Sequence, residues 1–461
     1  VNVTATTFLI ASLGLGGLSG GFVAPWAPLA PSVTSVSISA PSSVSASSAD
    51  MTVANTATPA SAGTGDGSLR PVAGARSILD ELSAIPAARL SSFVSDNAAA
   101  ISTILANPPT ARAVSNWWKL MPAASRDALL DSAPELVGNL DGVPSSLRDT
   151  ANRVFLADTI ADLDRQLDGL GRSERVEAEQ RVHMLREIDE ALDVAPGAAP
   201  RSLLSVDTEW PGRAAVAIGD LETADYVGYL IPGMFFTVDG QIVDWTVIAQ
   251  DLHDEQEGWA ERLGASDDTL ADASIATVAW IGYQTPGIMD IISLDLATEG
   301  ARHISGAVQG VQATRADDPH VTLLTHSYGS TATLMSLADG GLDVDSLVII
   351  GSPGSAAQSV SDLGLGKDDV FVGEAAWDPV VHTAFFGSDP GADSFGASTM
   401  SVGGGTDPIT GRELTAASGH LGYFDAGSEA MRNMALVALD RGDLVTSGES
   451  DRPTRLTAAR E

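Results

Sequence analysis

The chain is 461 residues long, carries 60 acidic against 25 basic side chains for a formal net charge of −35, and has no cysteine. These values exclude a disulfide scaffold, a thiolate metal site, a cysteine nucleophile and a duplex-binding protein of the usual basic kind, because so acidic a surface repels phosphate. With 44% hydrophobic and 18% charged residues the chain can bury a large core, and its length suits two or three domains.

No charged side chain precedes Asp50. Phe8 to Leu18 form a short apolar run like the hydrophobic part of a secretory signal, although no basic residue stands before it and glycines interrupt it. Residues 32 to 68 are Ser, Thr, Ala, Val and Pro in low complexity, the composition of a solvated linker. Residues 1–75 are therefore expected to be a disordered N-terminal segment with a signal or anchor remnant at its start. Membrane association is expected only through residues 1–31. The compartment is exported or envelope-associated if that run is a signal, and cytoplasmic otherwise.

Residues 76–196 read as α-helical, with apolar side chains three and four apart and breaks at Pro86, Pro108, Pro109, Pro122, Pro134 and Pro144. The clearest helix runs from Ser173 to Leu192 with Ser173 as N-cap and Val176, Val182, Leu185, Ile188 and Leu192 on one stripe. Trp117 and Trp118 are expected to pack this layer.

Residues 197–445 change to short β-rich runs alternating with amphipathic helical stretches, the pattern of a mostly parallel sheet covered by helices on both faces. Strands are predicted at Ala214 to Ile218, Tyr226 to Ile231, Ile275 to Trp280, Val321 to Thr325, Leu347 to Gly351 and Val370 to Glu374. Helices are predicted at Val243 to Leu263, Thr298 to Ala313 and Ser428 to Leu439. The fold class is thus α/β, preceded by a helical region and followed by a polar tail over 446–461, with functional loops at the carboxyl ends of the strands.

The strongest chemical signal is Val321-Thr-Leu-Leu-Thr-His-Ser-Tyr-Gly-Ser330, an apolar strand, a sharp turn at Ser327 and a helix-forming run. A serine on such a turn projects its hydroxyl from the backbone, and the helix N-terminus beneath it favours developing negative charge. Strand and helix come so close there that residues two away must be small. Gly329 complies, whereas Thr325 stands where the usual pattern has glycine, so its β-branch requires a slightly opened turn or a matching gap.

A serine hydroxyl needs a positioned base. His183, His253, His303 and His320 fall in helices or at a strand's far end, and the side chain of His326 should point away from that of Ser327. His382 and His420 remain. His420 is preferred because it lies in a glycine-flanked loop directly before the last helix, whereas His382 follows the candidate acid by only four residues. Asp378 is the candidate acid, since it ends the run after a late strand and precedes Pro379; Glu374 is its rival but lies within the predicted strand. The oxyanion donors are assigned to the amides of Tyr328 and of Met234, with Gly233 next in line, on the loop after Tyr226 to Ile231. Trp280 to Gly287 closes another strand, and its aromatics are expected to pack more than to line a pocket. No metal-binding pattern is present and no cofactor is required.

These residues, with Pro134-Glu-Leu-Val-Gly-Asn-Leu-Asp-Gly-Val-Pro144, Arg148, Ala151-Asn-Arg153, Ile218-Gly-Asp-Leu-Glu-Thr-Ala-Asp225, Ile231-Pro-Gly233, Trp280-Ile-Gly-Tyr283, His326-Ser-Tyr-Gly329 and His420 to Tyr423, resemble the actinobacterial α/β-hydrolase family first catalogued as a domain of unknown function. The resemblance spans Trp117 to Asp440. It implies an α/β-hydrolase sheet behind a helical N-terminal region, and it supplies no substrate. The expected function is a serine hydrolase acting on carboxylic esters or thioesters of a small or lipid-like acyl substrate, with Ser327, Asp378 and His420 as the triad and no nucleic-acid partner. The alternative is an idle α/β-hydrolase fold used as a binding module.

Overall fold

The computed structural model describes residues 75–287 and 293–448. The expectations for residues 1–74 and for the tail from 449 lie outside the described residues.

The prolines punctuate the helical region as their missing N–H and fixed φ require. Its helices are α1 (Ala75–Ala84), α2 (Ala87–Asp96), α3 (Ala98–Ala106), α4 (Ala111–Leu120), α5 (Ala123–Ser132), α6 (Pro134–Asn139), α7 (Ser145–Gln166) and α8 (Arg172–Ala191). Pro86, Pro122 and Pro144 stand immediately before α2, α5 and α7, and Pro134 opens α6. Leu82, Leu90, Ile104, Val114 and Leu129 form the core of this layer together with Trp118. Trp117 is buried beside them and its indole N–H donates to the Leu79 carbonyl at 2.8 Å, so both tryptophans pack.

Two expectations for α8 need correction. Its N-cap is Gly171, whose N–H donates to the Glu174 carboxylate at 3.1 Å, so Ser173 lies inside the first turn. Val176 is half exposed rather than part of the apolar stripe, because the first turns of α8 stand clear of the core and burial begins at Ala178.

The sheet comprises β1 (Arg201–Asp207), β2 (Arg213–Ile218), β3 (Tyr226–Ile231), β4 (Ile275–Ile281), β5 (His320–His326), β6 (Ser346–Ile350), β7 (Val370–Gly373) and β8 (Ser398–Thr399) in the order β1-β2-β4-β3-β5-β6-β7-β8. β2 runs antiparallel to both its neighbours and the remaining pairs are parallel. Helices α9 (Val238–Gly264), α10 (Asp295–Thr314), α11 (Tyr328–Ala338) and α12 (Glu429–Val437) cover it. Regular helix in α9 starts only after Gly240, whose φ is +84°.

Side chains alternate across the sheet, and each face meets its own core. Leu324 joins Trp245, Val348 and Met434 on one side, while Leu323 joins Val278, Ile304 and Leu334 on the other. Burial on both faces is why the central strands read as unbroken apolar runs. The helical layer is tied to the sheet edge by the side chain of Asn152, which donates to the carbonyls of Gly138 in that layer and Leu203 in β1 at 2.9 and 3.0 Å, and by Arg153, whose guanidinium donates to the Arg201 carbonyl of β1 at 2.7 Å. The carboxyl ends of β3, β5 and β7 and the loop before α12 face a common edge, which is where an open α/β sheet presents its site.

Candidate active site

Ser327 joins β5 to α11 at φ +54° and ψ −131°, a conformation sparsely populated by any residue with a side chain. The surrounding contacts hold it there. Its N–H donates to the Ile350 carbonyl at 3.0 Å, and its own carbonyl accepts the Ser330 hydroxyl at 2.6 Å. A Cβ on Gly329 would lie 2.3 Å from the Pro232 carbonyl oxygen, and one on Gly233 would lie 2.3 Å from Ser327 Cβ, so close approach demands glycine at both positions. The Thr325 hydroxyl donates to the Val348 carbonyl at 2.8 Å, so the residue that replaces the usual glycine ties β5 to β6.

The loop before α12 brings His420 over this turn. Its Nε2 lies 2.7 Å from Ser327 Oγ, and its Nδ1 lies 2.9 and 3.0 Å from the two carboxylate oxygens of Asp378. An ionised carboxylate only accepts, so Nδ1 carries the proton and Nε2 is left to accept from the serine hydroxyl. Asp378 is buried, and it also receives the Val380 N–H at 2.9 Å and the Tyr423 hydroxyl at 2.8 Å. Burial alone would push its carboxyl up, but the hydrogen bond and charge of His420, with the Val380 and Tyr423 donors, outweigh it and hold it below the ordinary range.

Several partners of this trio escape a sequence reading. Tyr423 is fully buried, and burial followed by the Asp378 charge drives its hydroxyl well above the usual value, so it stays a donor. Its oxygen accepts the Ala375 N–H at 2.8 Å, which fixes the phenol. Gly351 sits at φ +59°, where a Cβ would lie 3.0 Å from Asp378 Oδ2, 3.2 Å from His420 Cε1 and 3.3 Å from His326 Cδ2. His326 does turn away from Ser327, and its Nε2–H donates to the main-chain carbonyl of His420 at 2.7 Å. Burial first, then the neighbouring His420, pull the His326 imidazole down to about 3, so at neutral pH it is uncharged. The one sequence hint for Tyr423 is its place three residues after His420; nothing local marks Gly351 or His326 for these tasks.

Tyr328 opens α11, and a first-turn N–H has no acceptor within its own helix. Its side chain points elsewhere: the hydroxyl donates to the Ser293 carbonyl at 2.7 Å and accepts the Ala297 N–H at 3.1 Å, pinning the start of α10. Met234 is buried on the turn beside Ser327, and Tyr283 buttresses that turn by donating its hydroxyl to the Pro232 carbonyl at 2.8 Å. Trp280 stacks on Tyr283 with centroids 5.9 Å apart, so these aromatics serve packing. The two rivals from the sequence meet each other instead of Ser327. His382 Nδ1 lies 3.4 Å from the Glu374 carboxylate and 3.2 Å from that of Asp389.

The family described as alpha/beta hydrolase matches residues 207–388, a span that includes Ser327 and Asp378 and ends before His420. The uncharacterized protein Rv2079 of Mycobacterium tuberculosis is 30% identical over 383 residues, covering 72% of this chain and 56% of the relative. The chain therefore spans little more than half the length of that relative. The uncharacterized protein Rv0963c of the same organism is 32% identical over 233 residues, which cover 49% of this chain and 84% of the relative. Among solved structures, a hyperthermophilic esterase from the archaeon Pyrobaculum calidifontis aligns at 13% identity with a TM-score of 0.33, covering 60% of this chain and 97% of that one. With its mostly parallel eight-stranded sheet and the matched span, the chain belongs to the alpha/beta hydrolase family.

Proposed function

We propose that the chain is a serine hydrolase that cleaves carboxylic esters or thioesters through an acyl-enzyme. Ser327 Oγ attacks the acyl carbonyl carbon while its proton passes to His420 Nε2. The carbonyl oxygen, now negative, is met by the amides of Tyr328 and Met234 and by the N-terminal end of α11. Collapse of the intermediate expels the alcohol or thiol, which takes the proton from His420. Water then attacks the acyl-enzyme with His420 as base, and release of the carboxylic acid restores the Ser327 hydroxyl. Asp378 stays ionised throughout and stabilises the imidazolium.

Support comes from one observation above all, the continuous chain from Ser327 Oγ through both nitrogens of His420 to Asp378, with contacts of 2.7 to 3.0 Å. The net charge of −35 disfavours polyanionic substrates and leaves small or lipid-like acyl compounds. Labelling with a fluorophosphonate tests the assignment: Ser327→Ala should lose the label and Ser330→Ala should keep it, whereas equal labelling of both variants refutes it. A series of nitrophenyl esters and acyl thioesters, with Ser327→Ala as control, then reads the leaving-group preference.

A further inference from the structure

Three of the large apolar side chains exposed among the described residues are immediate chain neighbours of site residues. Trp377, 87% exposed, precedes Asp378; Leu421, 53% exposed, follows His420; and Phe235, 37% exposed, follows Met234. Asp378, His420 and the turn of Gly233 and Met234 meet around Ser327, so the loops that carry these three exposed side chains gather at the carboxyl edge of the sheet. The side chains come from three separate loops: after β3, after β7 and before α12.

Loose chain does not explain their exposure. The Trp377 and Asp378 amides both donate to the Ala375 carbonyl at 3.1 Å, and the Phe235 amide donates to Pro286 at 3.4 Å. Among the described residues Trp117, Trp118, Trp245, Trp259 and Trp280 are buried and Trp210 is 45% exposed, so Trp377 is the most exposed tryptophan described. Apolar area left facing water forgoes the stabilisation of burial, and clustered exposure of this kind marks a contact surface.

We propose that Trp377, Leu421 and Phe235 form an apolar collar that docks the site onto the uncharged surface of an aggregated ester lipid, so that a long-chain acyl ester passes from that phase to Ser327. An exposed tryptophan beside leucine and phenylalanine is the composition that settles at a lipid–water boundary. The net charge of −35 disfavours an anionic lipid surface as the partner, and the collar is assigned to a neutral or zwitterionic one. The catalytic half of this proposal rests on the serine hydrolase reading, whereas the docking half does not.

The test uses the full chain, vesicles of phosphatidylcholine or phosphatidylglycerol, and a Trp377→Ser/Leu421→Ser variant. Leu120→Ser is the control, because Leu120 is 85% exposed at the end of α4 in the helical layer. The full chain should float with phosphatidylcholine vesicles and its tryptophan emission should shift to the blue. The collar variant should lose about tenfold in vesicle binding, and in the ratio of dispersed nitrophenyl palmitate turnover to dissolved nitrophenyl butyrate turnover. Leu120→Ser should change neither. Equal flotation of full chain and collar variant, an equal loss in Leu120→Ser, binding to phosphatidylglycerol alone, or a dimer in lipid-free buffer that the collar substitutions dissociate would each overturn the proposal. Collar-dependent flotation without any Ser327-dependent ester turnover would keep the docking surface and remove the hydrolase reading; turnover without flotation would do the reverse.

Discussion

The imidazole of His326 donates to the main-chain carbonyl of His420 at 2.7 Å, with the two rings 4.5 Å apart. Because His326 is the residue before Ser327, this bond ties the backbone of one site residue to the chain that carries the other. The Ser327–His420 distance is therefore held twice, through the side chains and through the segment behind them.

His326→Phe keeps the ring and removes the donor, leaving the His420 carbonyl without that partner. It is expected to lower kcat on a dissolved ester by about 10- to 100-fold with KM little changed, because placement of the base and not substrate binding is lost. His326→Gln, which restores an N–H donor, should recover part of that loss. Equal loss in the two variants, or a change confined to KM, would show that the bond does not position the base.

The same residue makes stability depend on pH. An unfolded histidine titrates near 6.5, whereas burial and His420 bring folded His326 to about 3, so between those values the unfolded chain binds the extra proton. The stability linked to this group is fully present above about pH 6.5 and is lost as pH falls, at up to about 1.4 kcal/mol per pH unit. Asp378, held below its ordinary value, adds its own acid loss only below about pH 4. Between pH 7 and 5.5 urea unfolding should show the wild type losing about 1 kcal/mol more than His326→Gln.

Asp378→Asn replaces an acceptor that fixes the His420 tautomer with a group that can present its N–H₂ instead. A fall in kcat of about 10⁴-fold is expected, the scale reached when the acid of a serine triad loses its charge. Tyr423→Phe removes a single donor from the carboxylate and leaves the Ala375 N–H without its 2.8 Å acceptor. That variant should lose about 3- to 10-fold in kcat and about 1 to 3 kcal/mol in stability, read by steady-state kinetics and denaturant midpoint.

Gly351→Ala tests the crowding beneath the trio. Its Cβ would press within 3.0 to 3.3 Å of Asp378, His420 and His326 at once, on backbone at φ +59°. Strain at such a position costs about 1 to 3 kcal/mol, and a small displacement of the dyad is enough to cost about 100-fold in rate. A stable, fully active Gly351→Ala would mean that the dyad tolerates displacement the geometry forbids.

Much of the frame is legible from residues alone. The boundaries of β2 to β7 agree with the apolar runs to within about one residue at each end, because strands buried on both faces announce themselves locally. β1 is absent from that reading: Arg201 to Asp207 mixes charged and apolar residues at half burial and becomes a strand only through its antiparallel partner β2. β8, two residues long, has no periodicity to detect. The false N-cap at Ser173 has a different origin: a serine suited to capping stands two residues after Gly171, whose N–H is instead taken by the Glu174 carboxylate, so the helix starts earlier.

The order of Ser327, Asp378 and His420 along the chain, and the turn chemistry around each, are properties of local sequence, and they suffice to nominate the three. Their convergence is not local. Ser327 and His420 are separated by 93 residues, and the 2.7 Å between their atoms depends on parallel strands ending at one edge. The supporting shell is still less local. His326 serves through its ring against a distant carbonyl, Gly351 serves by lacking a side chain, and the pairing of His382 with Glu374 and Asp389 removes both rivals from the dyad. Residue type and spacing encode what a side chain can do; which neighbour receives it is settled by packing between segments far apart in the chain, where burial and contact free energies outweigh local preference.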